Sequence, residues 1–338
     1  MTNLKFNINR NATKAFLRFF CFYKEVKINM TTTTENKYHM VDWLKVKVKV
    51  NHDPEQLNSG LRFDVSKIDD EYSEPIVSYK ELWLTEPSYD NRLKIKSLKD
   101  NTLLISGNLG KWLTGQNIVG SDDVIKLVYD TIIKLSELCE HITPTQQQLD
   151  DIQLGYFKIN KVDINKPILF NNKDEALQYL ERLKFHGSYP RFNKKVENNG
   201  VYFGYESERK VIKYYYKGHE IIANNKYQQN LDNDLIELAN RMVRCELTLK
   251  WRELYDNELL NGFDWNSETV KRVIDDTHSQ LRMPEPIKFP TNLPAKYIRF
   301  ISCFKAGTLV RGYTPLTIER MQRDLMRLHG VDIYNMAF

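Results

Sequence analysis

Cysteine is scarce in this chain. There are four in 338 residues, Cys21, Cys139, Cys245 and Cys303, and no two form a CxxC pair. Such scatter excludes a zinc ribbon and a disulfide framework, and it fits a reducing cytoplasm. No apolar run is long enough to span a bilayer. The stretch from Ala15 to Tyr23 is short, is interrupted by Arg18 and lacks a small-residue cleavage site, so it does not read as a signal peptide. Glycines do not cluster: Gly204, Gly218 and Gly262 each stand alone, and there is neither a Walker loop nor an HExxH helix. ATP-driven and zincin chemistries are thereby set aside. No His-hydrophobic-His pair occurs either, which removes the metal signature of the two-histidine endonucleases.

What is present is an ordinary globular composition, with 41% apolar residues to build a core and a net charge of +5. The charge is uneven. From Ala295 to Phe338 seven basic residues face three acidic ones, so most of the excess lies in the last stretch, where it suits a polyanionic partner. A solvated basic face is the bland alternative.

Along the chain, residues 1–39 read as a poorly ordered extension ending in the polar loop around Thr31 to Lys37, with Met40 as the natural start. Residues 40–260 read as one domain. Trp43, Lys45, Lys47 and Lys49 alternate with Leu44, Val46, Val48 and Val50, which predicts a strand with one apolar and one basic face. Ser121 is expected to cap a helix whose stripe is Val124, Leu127, Val128, Ile132, Leu135 and Leu138. A second helix is predicted over 174–184. Further strands are expected over 155–165, over 201–222 with a turn inside, and over 243–250. This irregular mixture predicts an α+β fold with a mainly antiparallel sheet. Residues 261–294 read as a helix and a linker punctuated by Pro284, Pro286, Pro290 and Pro294. Residues 295–338 read as a small basic helical domain.

The two-residue period of a strand puts Lys213, Tyr215 and Lys217 on one face and Ile212, Tyr214 and Tyr216 on the other. Of three consecutive tyrosines, one is thus flanked by two ammonium groups. A nearby cation favours phenolate, the nucleophilic form, and would also steady charge on an attacked phosphate. Arg244, Glu246 and Thr248 share a face of the next strand, as do Lys161, Asp163 and Asn165 of another. Asp163, Glu220 and Glu246 are candidate oxygen ligands for a divalent cation acting as a Lewis acid. The plainer reading is a set of solvent-facing polar residues. His219 is a weaker candidate for a direct role.

Several segments, in order, resemble the filamentous-phage gene II family of phage and plasmid replication initiators. They are Met40-Val41-Asp42, Gly107-Asn108 with Lys111, Leu113-Thr114-Gly115-Gln116-Asn117, Gly120-Ser121-Asp122, Lys161-Val162-Asp163-Ile164-Asn165, Tyr214 to Glu220, and Met242 to Leu247. The resemblance runs from Met40 to about Leu254. It implies a rolling-circle initiator that nicks one strand at an origin, with Tyr215 as nucleophile and Lys217 as supporting base or phosphate contact. Asp163, Glu220 and Glu246 match the family's acidic positions, and their use as ligands for Mg2+ or Mn2+ is inferred from their chemistry; origin DNA is the expected substrate, a host helicase and polymerase the expected partners, and the cytoplasm of a bacterial host the expected location. Gln116 stands where the family pattern has histidine, and Lys161 where it has arginine, a loss of the bidentate fork. Lys111, Lys161, Lys213 and Arg244 are expected to touch DNA.

The tail resembles the family's second domain. Helices are expected at 296–304, around 307–313, and from Thr314 as cap with Pro315 in the first position. On the last helix Ile318, Met321, Leu325 and Leu328 form a stripe, leaving Arg320, Arg323 and Arg327 outside it. This is either a helix–turn–helix reader of DNA or a plain amphipathic helix packed on the catalytic domain. The competing functions are a non-catalytic origin-binding regulator, a relaxase or transposase using the same tyrosine chemistry, and a metal-dependent hydrolytic nuclease.

Overall fold

The computed structural model describes residues 39–57, 61–64, 67–68, 71–72, 76–79, 82–86, 91–223, 231–284, 292–305 and 308–335. The expected extension, but for His39, lies outside these residues, and so do Pro286 and Pro290 of the expected linker.

Strands in chain order are β1 (Met40–Lys49), β2 (Leu61–Asp64), β3 (Lys67–Ile68), β4 (Glu71–Tyr72), β5 (Ile76–Tyr79), β6 (Leu82–Glu86), β7 (Asn91–Leu98), β8 (Thr102–Gly107), β9 (Lys158–Leu169), β10 (Lys194–Glu197), β11 (Gly200–Phe203), β12 (Lys210–Tyr216) and β13 (Met242–Lys250). Nine of them form a sheet in the order β10-β11-β12-β13-β9-β1-β8-β7-β6, with every pairing antiparallel. β2 with β5 and β3 with β4 make small antiparallel pairs of their own. The fold is α+β, as the sequence indicates.

Helices are α1 (Leu109–Thr114), α2 (Val124–Leu138), α3 (Gln146–Gln153), α4 (Lys173–His186), α5 (Lys217–Ala223), α6 (Asn233–Asn240), α7 (Trp251–Asp256), α8 (Ser267–Ser279), α9 (Ala295–Lys305), α10 (Leu309–Gly312) and α11 (Pro315–His329). Local chemistry fixes their starts. Asn108, Asp123, Thr145, Asn172 and Asn266 each accept a backbone N–H of the first turn through the side chain. The cap of α2 is therefore Asp123, not Ser121, whose Oγ instead accepts from Asp123 N. None of the helices among the described residues is long and apolar enough to cross a membrane.

The alternation of β1 survives intact: Leu44, Val46 and Val48 are buried while Lys47 and Lys49 are exposed. The apolar sides of β1, β7, β8, β9, β11, β12 and β13 pack with α2, α4 and α8 into one core. The stripe of α2 ends at Leu135, since Leu138 is exposed. The opposite side of the sheet is left polar. Its far end is roofed by a second cluster, in which Ile118 of the loop after α1, Ile221 of α5, Leu238 and Ala239 of α6 and Met242 of β13 meet.

The predicted single segment 201–222 is in fact β11, β12 and α5. The strand ends at Tyr216 and Lys217 opens α5; Gly218 lies so close to the Tyr216 ring and Asn240 that a Cβ there would strike both.

The C-terminal helices have a core of their own, built from Leu293, Tyr297, Phe300, Ile301, Met321, Leu325, Val331 and Ile333. Thr314 caps α11 and Pro315 opens it, as expected. The stripe is narrower than the sequence suggests, since Leu328 is exposed. It packs within this cluster rather than onto the sheet. Arg320, Arg323 and Arg327 face outward.

Candidate active site

β12 presents its tyrosines to opposite faces. On the core side, Tyr214 Oη lies 2.9 Å from His278 Nδ1, and Tyr216 Oη donates to Asn240 at 3.1 Å (Oδ1) and 3.2 Å (carbonyl). Both hydroxyls are taken up by hydrogen bonds on that side. Tyr215 points to the polar face, opposite Arg244 in the β12–β13 register.

Arg244 is enclosed. Its Nη2 donates to the carbonyls of Asn117 (2.6 Å) and Ile118 (2.9 Å), and Nη1 stands 3.5 Å from Tyr215 Oη. Burial opposes its charge, but Tyr215, Asp42 and Glu220 outweigh that and hold it protonated. Burial also pushes the Tyr215 phenol well above its ordinary range; Arg244 pulls it back, whereas Glu246, Glu220 and Asp42 push further. Tyr215 therefore rests as a neutral phenol with one guanidinium beside its oxygen.

The flanking lysines do not act as the alternation suggests. Lys213 Nζ lies over the Tyr215 ring, 4.3 Å from its centroid, not at the hydroxyl. Lys217 has left the strand: it opens α5, is fully buried, and donates to Asn117 Oδ1 (2.9 Å) and Glu220 Oε2 (2.7 Å). Burial and Arg244 lower its pKa to about 8, against the pull of Glu220 and Asp42. Since Asn117 also holds Arg244, Lys217 steadies the loop that aims Arg244. It is not a second cation flanking the phenol.

Asp42 is the residue that sequence reasoning does not assign to the site. Val41 pairs with Ile164 and Trp43 with Asp163, so Asp42 is an extra residue in β1, a bulge. Its Oδ1 accepts from Asn108 Nδ2 (2.6 Å) and Asn117 Nδ2 (3.2 Å). The signal for it in the sequence is its place in the Met40-Val41-Asp42 match.

The expected ligand trio is not assembled. Among the described residues, no three His, Cys, Asp or Glu side chains gather as a metal-binding group. Glu220 is drawn off by Lys217: burial would raise its pKa, but that ion pair, with Arg244 and Lys111, lowers it. Asp163 and Glu246 do share the polar face, with Asn165 opposite Glu246 in register. Burial lifts Glu246 to about 7, with Asp42 and Asp163 adding to the rise against Lys213 and Arg244. Burial also raises Asp163, which Lys161 approaches at 3.4 Å. Asn165 is wholly buried, and neither of its amide atoms has a hydrogen-bond partner among the described residues.

Gln116, at the family's histidine position, braces its own loop. Oε1 accepts from the backbone of Ile118 (2.7 Å) and Val119 (3.2 Å), and Nε2 donates to the Val119 carbonyl (2.9 Å). Gly115, in the left-handed region at φ 84°, ends α1 and starts this loop. Lys111 lies on α1, and His219 is exposed on α5.

A sheet with one polar face, one tyrosine of a run of three turned onto it and a buried arginine at that phenol define a candidate site on the sheet. The chain belongs to the family of the gene II replication-associated protein, whose N-terminal model matches residues 40–268. It is 26% identical over 250 residues to the replication-associated protein of that family from Enterobacteria phage I2-2, covering 70% of each chain. The rolling-circle replication initiator protein of Geobacillus stearothermophilus aligns with 80% of this chain and 97% of its own, at 14% identity and a TM-score of 0.33.

Proposed function

We propose that this chain initiates rolling-circle replication by cutting one strand of origin DNA with Tyr215. The Tyr215 Oη–phosphorus bond forms as the phosphorus–O3′ bond breaks. The phenol loses its proton, the departing O3′ gains one, and the products are a 5′-phosphotyrosine and a free 3′-hydroxyl. The reverse transfer, with the 3′ oxygen attacking the phosphotyrosine, rejoins the ends and frees the phenol. The phosphodiester energy is kept throughout, so no nucleotide hydrolysis is needed. The observation that carries the reading is that Tyr215 alone of the three consecutive tyrosines faces the polar side and has a buried arginine at its hydroxyl. Arg244 offsets negative charge as the phenol ionises.

A divalent ion such as Mg2+ or Mn2+ fits Asp163 and Glu246. Two carboxylates, completed by phosphate and water oxygens, are the donor set Mg2+ favours, and the unpartnered amide of Asn165 lies beside them. Glu220 is not part of this set. When bound, the ion would polarise the scissile phosphate. Lys111, Lys161 and Lys213 on the open face, with Arg320, Arg323 and Arg327 on the tail, would neutralise phosphates. A host polymerase would extend the 3′ end and a host helicase displace the strand.

The test is cleavage of single-stranded origin DNA with Mg2+ or Mn2+, wild type against Tyr215→Phe. The expected result is a covalent 5′ adduct that the substitution abolishes. Cleavage without an adduct that survives the substitution would mean hydrolysis. Absence of cleavage on a proven origin would mean a binding regulator, a reading that the burial of Tyr215 (7% exposed) also suits.

A further inference from the structure

The polar face carries a second feature, away from Tyr215. Following the register across six strands, β6, β7, β8, β1, β9 and β13, places Trp83, Lys94, Ser106, Lys45, Lys161 and Lys250 in one transverse row. Like charges directly opposite each other across strands are destabilising. Asp163 at 3.4 Å offsets Lys161 in part and Lys250 donates to the Ser207 carbonyl, yet Lys45, Lys161 and Lys250 on successive strands still concentrate positive charge that suits a polyanion.

The row ends in a cleft of about 360 Å³ lined by Trp43, Trp83, Arg92, Lys94, Asn108 and Lys111, among others. Two indoles and three cations in one concavity make an unusual composition. Trp83 is 53% exposed on the edge strand, which is a cost unless something covers it. Each indole carries an ammonium over its ring: Lys94 Nζ lies 4.6 Å from the Trp83 centroid, and Lys161 Nζ 4.1 Å from that of Trp43. Asn108 ties the wall of the cleft to Asp42, which Asn117 holds in turn.

We propose that this cleft takes an unpaired base of a single DNA strand, stacked on the exposed Trp83, while the lysine row carries the phosphates across the sheet to Lys250 of β13, the strand that also bears Arg244. Aromatic stacking with flanking cations is how single strands are held without reading sequence. Neighbouring strands are about 4.8 Å apart and residues rise about 3.3 Å along a strand; Trp43 is in register with Asp163, Thr248 and Val211, so it lies three strands across and four residues along from Tyr215, about 20 Å away. A base on Trp83, further out on the edge strand, therefore belongs to a nucleotide several positions from the scissile phosphate. The inference rests on the proposed function and specifies its substrate as single-stranded at that point.

The test compares binding of an oligothymidylate of about twelve nucleotides with an abasic strand of the same length and charge. Wild type is expected to favour the strand with bases by about tenfold or more. Trp83→Ala should remove most of that preference, and Trp83→Phe should keep it. Equal wild-type affinity for the two strands, or a preference unchanged in Trp83→Ala, overturns the cleft while leaving origin nicking by Tyr215 intact. Failure of wild type to bind either strand overturns both the cleft and the function on which it rests.

Discussion

The Tyr215 hydroxyl lies 3.5 Å from Nη1 of Arg244, a side chain whose other terminal nitrogen is fixed to two carbonyls of the loop 117–118. The cation at the phenol is thus held by backbone carbonyls, which orient it without cancelling its charge. Lysine cannot reproduce that fork. Arg244→Lys should slow single-turnover cleavage by on the order of a hundredfold, with binding of the single strand much less affected. Cleavage at the wild-type rate would show that the phenol needs no such cation.

The neighbouring tyrosines provide a control. Tyr214→Phe and Tyr216→Phe each delete a hydroxyl bonded on the core side. Each should cost about 1 kcal/mol of stability in denaturant unfolding and leave the covalent adduct in place. Loss of the adduct in either variant would assign the nucleophile to the wrong residue.

That one tyrosine is identifiable from the sequence follows from the strand period, which is blind to everything except facing. The same rule fails one turn later. It extends β12 to Lys217, whereas the chain passes into α5 at that residue, packing Gly218 against the Tyr216 ring. Glu220 is misplaced for the same reason: on α5 it meets Lys217, three residues before it, and not Asp163. The role of Asp42 is invisible to periodicity because a bulge has no signature of its own in an alternating strand. It shows only when Val41 and Trp43 are found opposite Ile164 and Asp163. The basic face of β1, the antiparallel sheet and the capped α11 are legible because local pattern alone specifies them.

Gln116 occupies the family's histidine position but is consumed by three hydrogen bonds within its loop. Gln116→Ala should lower thermal stability and, by loosening the carbonyls that hold Arg244, reduce the cleavage rate. The concentration of Mn2+ needed for half-maximal cleavage should not change. A shift of that midpoint by about tenfold or more, the scale of a lost metal contact, would mean that Gln116 touches the ion.

Lys217 supplies a pH signature. Its pKa falls from 10.5 to about 8 on folding. Between these values the unfolded chain binds more protons than the folded one, so stability rises with pH through this window. Below about pH 8 both states are protonated, and the full cost of burying the charge is felt. The stability of wild type relative to Lys217→Met should therefore increase from about pH 8 toward 10.5, read from paired urea titrations. A flat difference would mean that Lys217 keeps its proton when buried.

Arg320, Arg323 and Arg327 stand outward on α11. If all three contact phosphates, replacing them with glutamine should flatten the slope of log affinity against log salt by about 2 to 3 for duplex origin DNA. An unchanged slope would remove α11 from the DNA contact.

The bulge in β1 has one more consequence. Val41 faces in and Trp43 faces out on either side of Asp42, so the alternation is already complete without it. The facing of the residues of β1 therefore does not depend on Asp42, and the second irregularity in the pairing with β9, between Lys45 and Val46, is separate from it. The carboxylate is carried by an extra residue and not by the alternating strand, yet Asn108 and Asn117 anchor it, so the bulge couples the cap of α1 to the loop that holds Arg244.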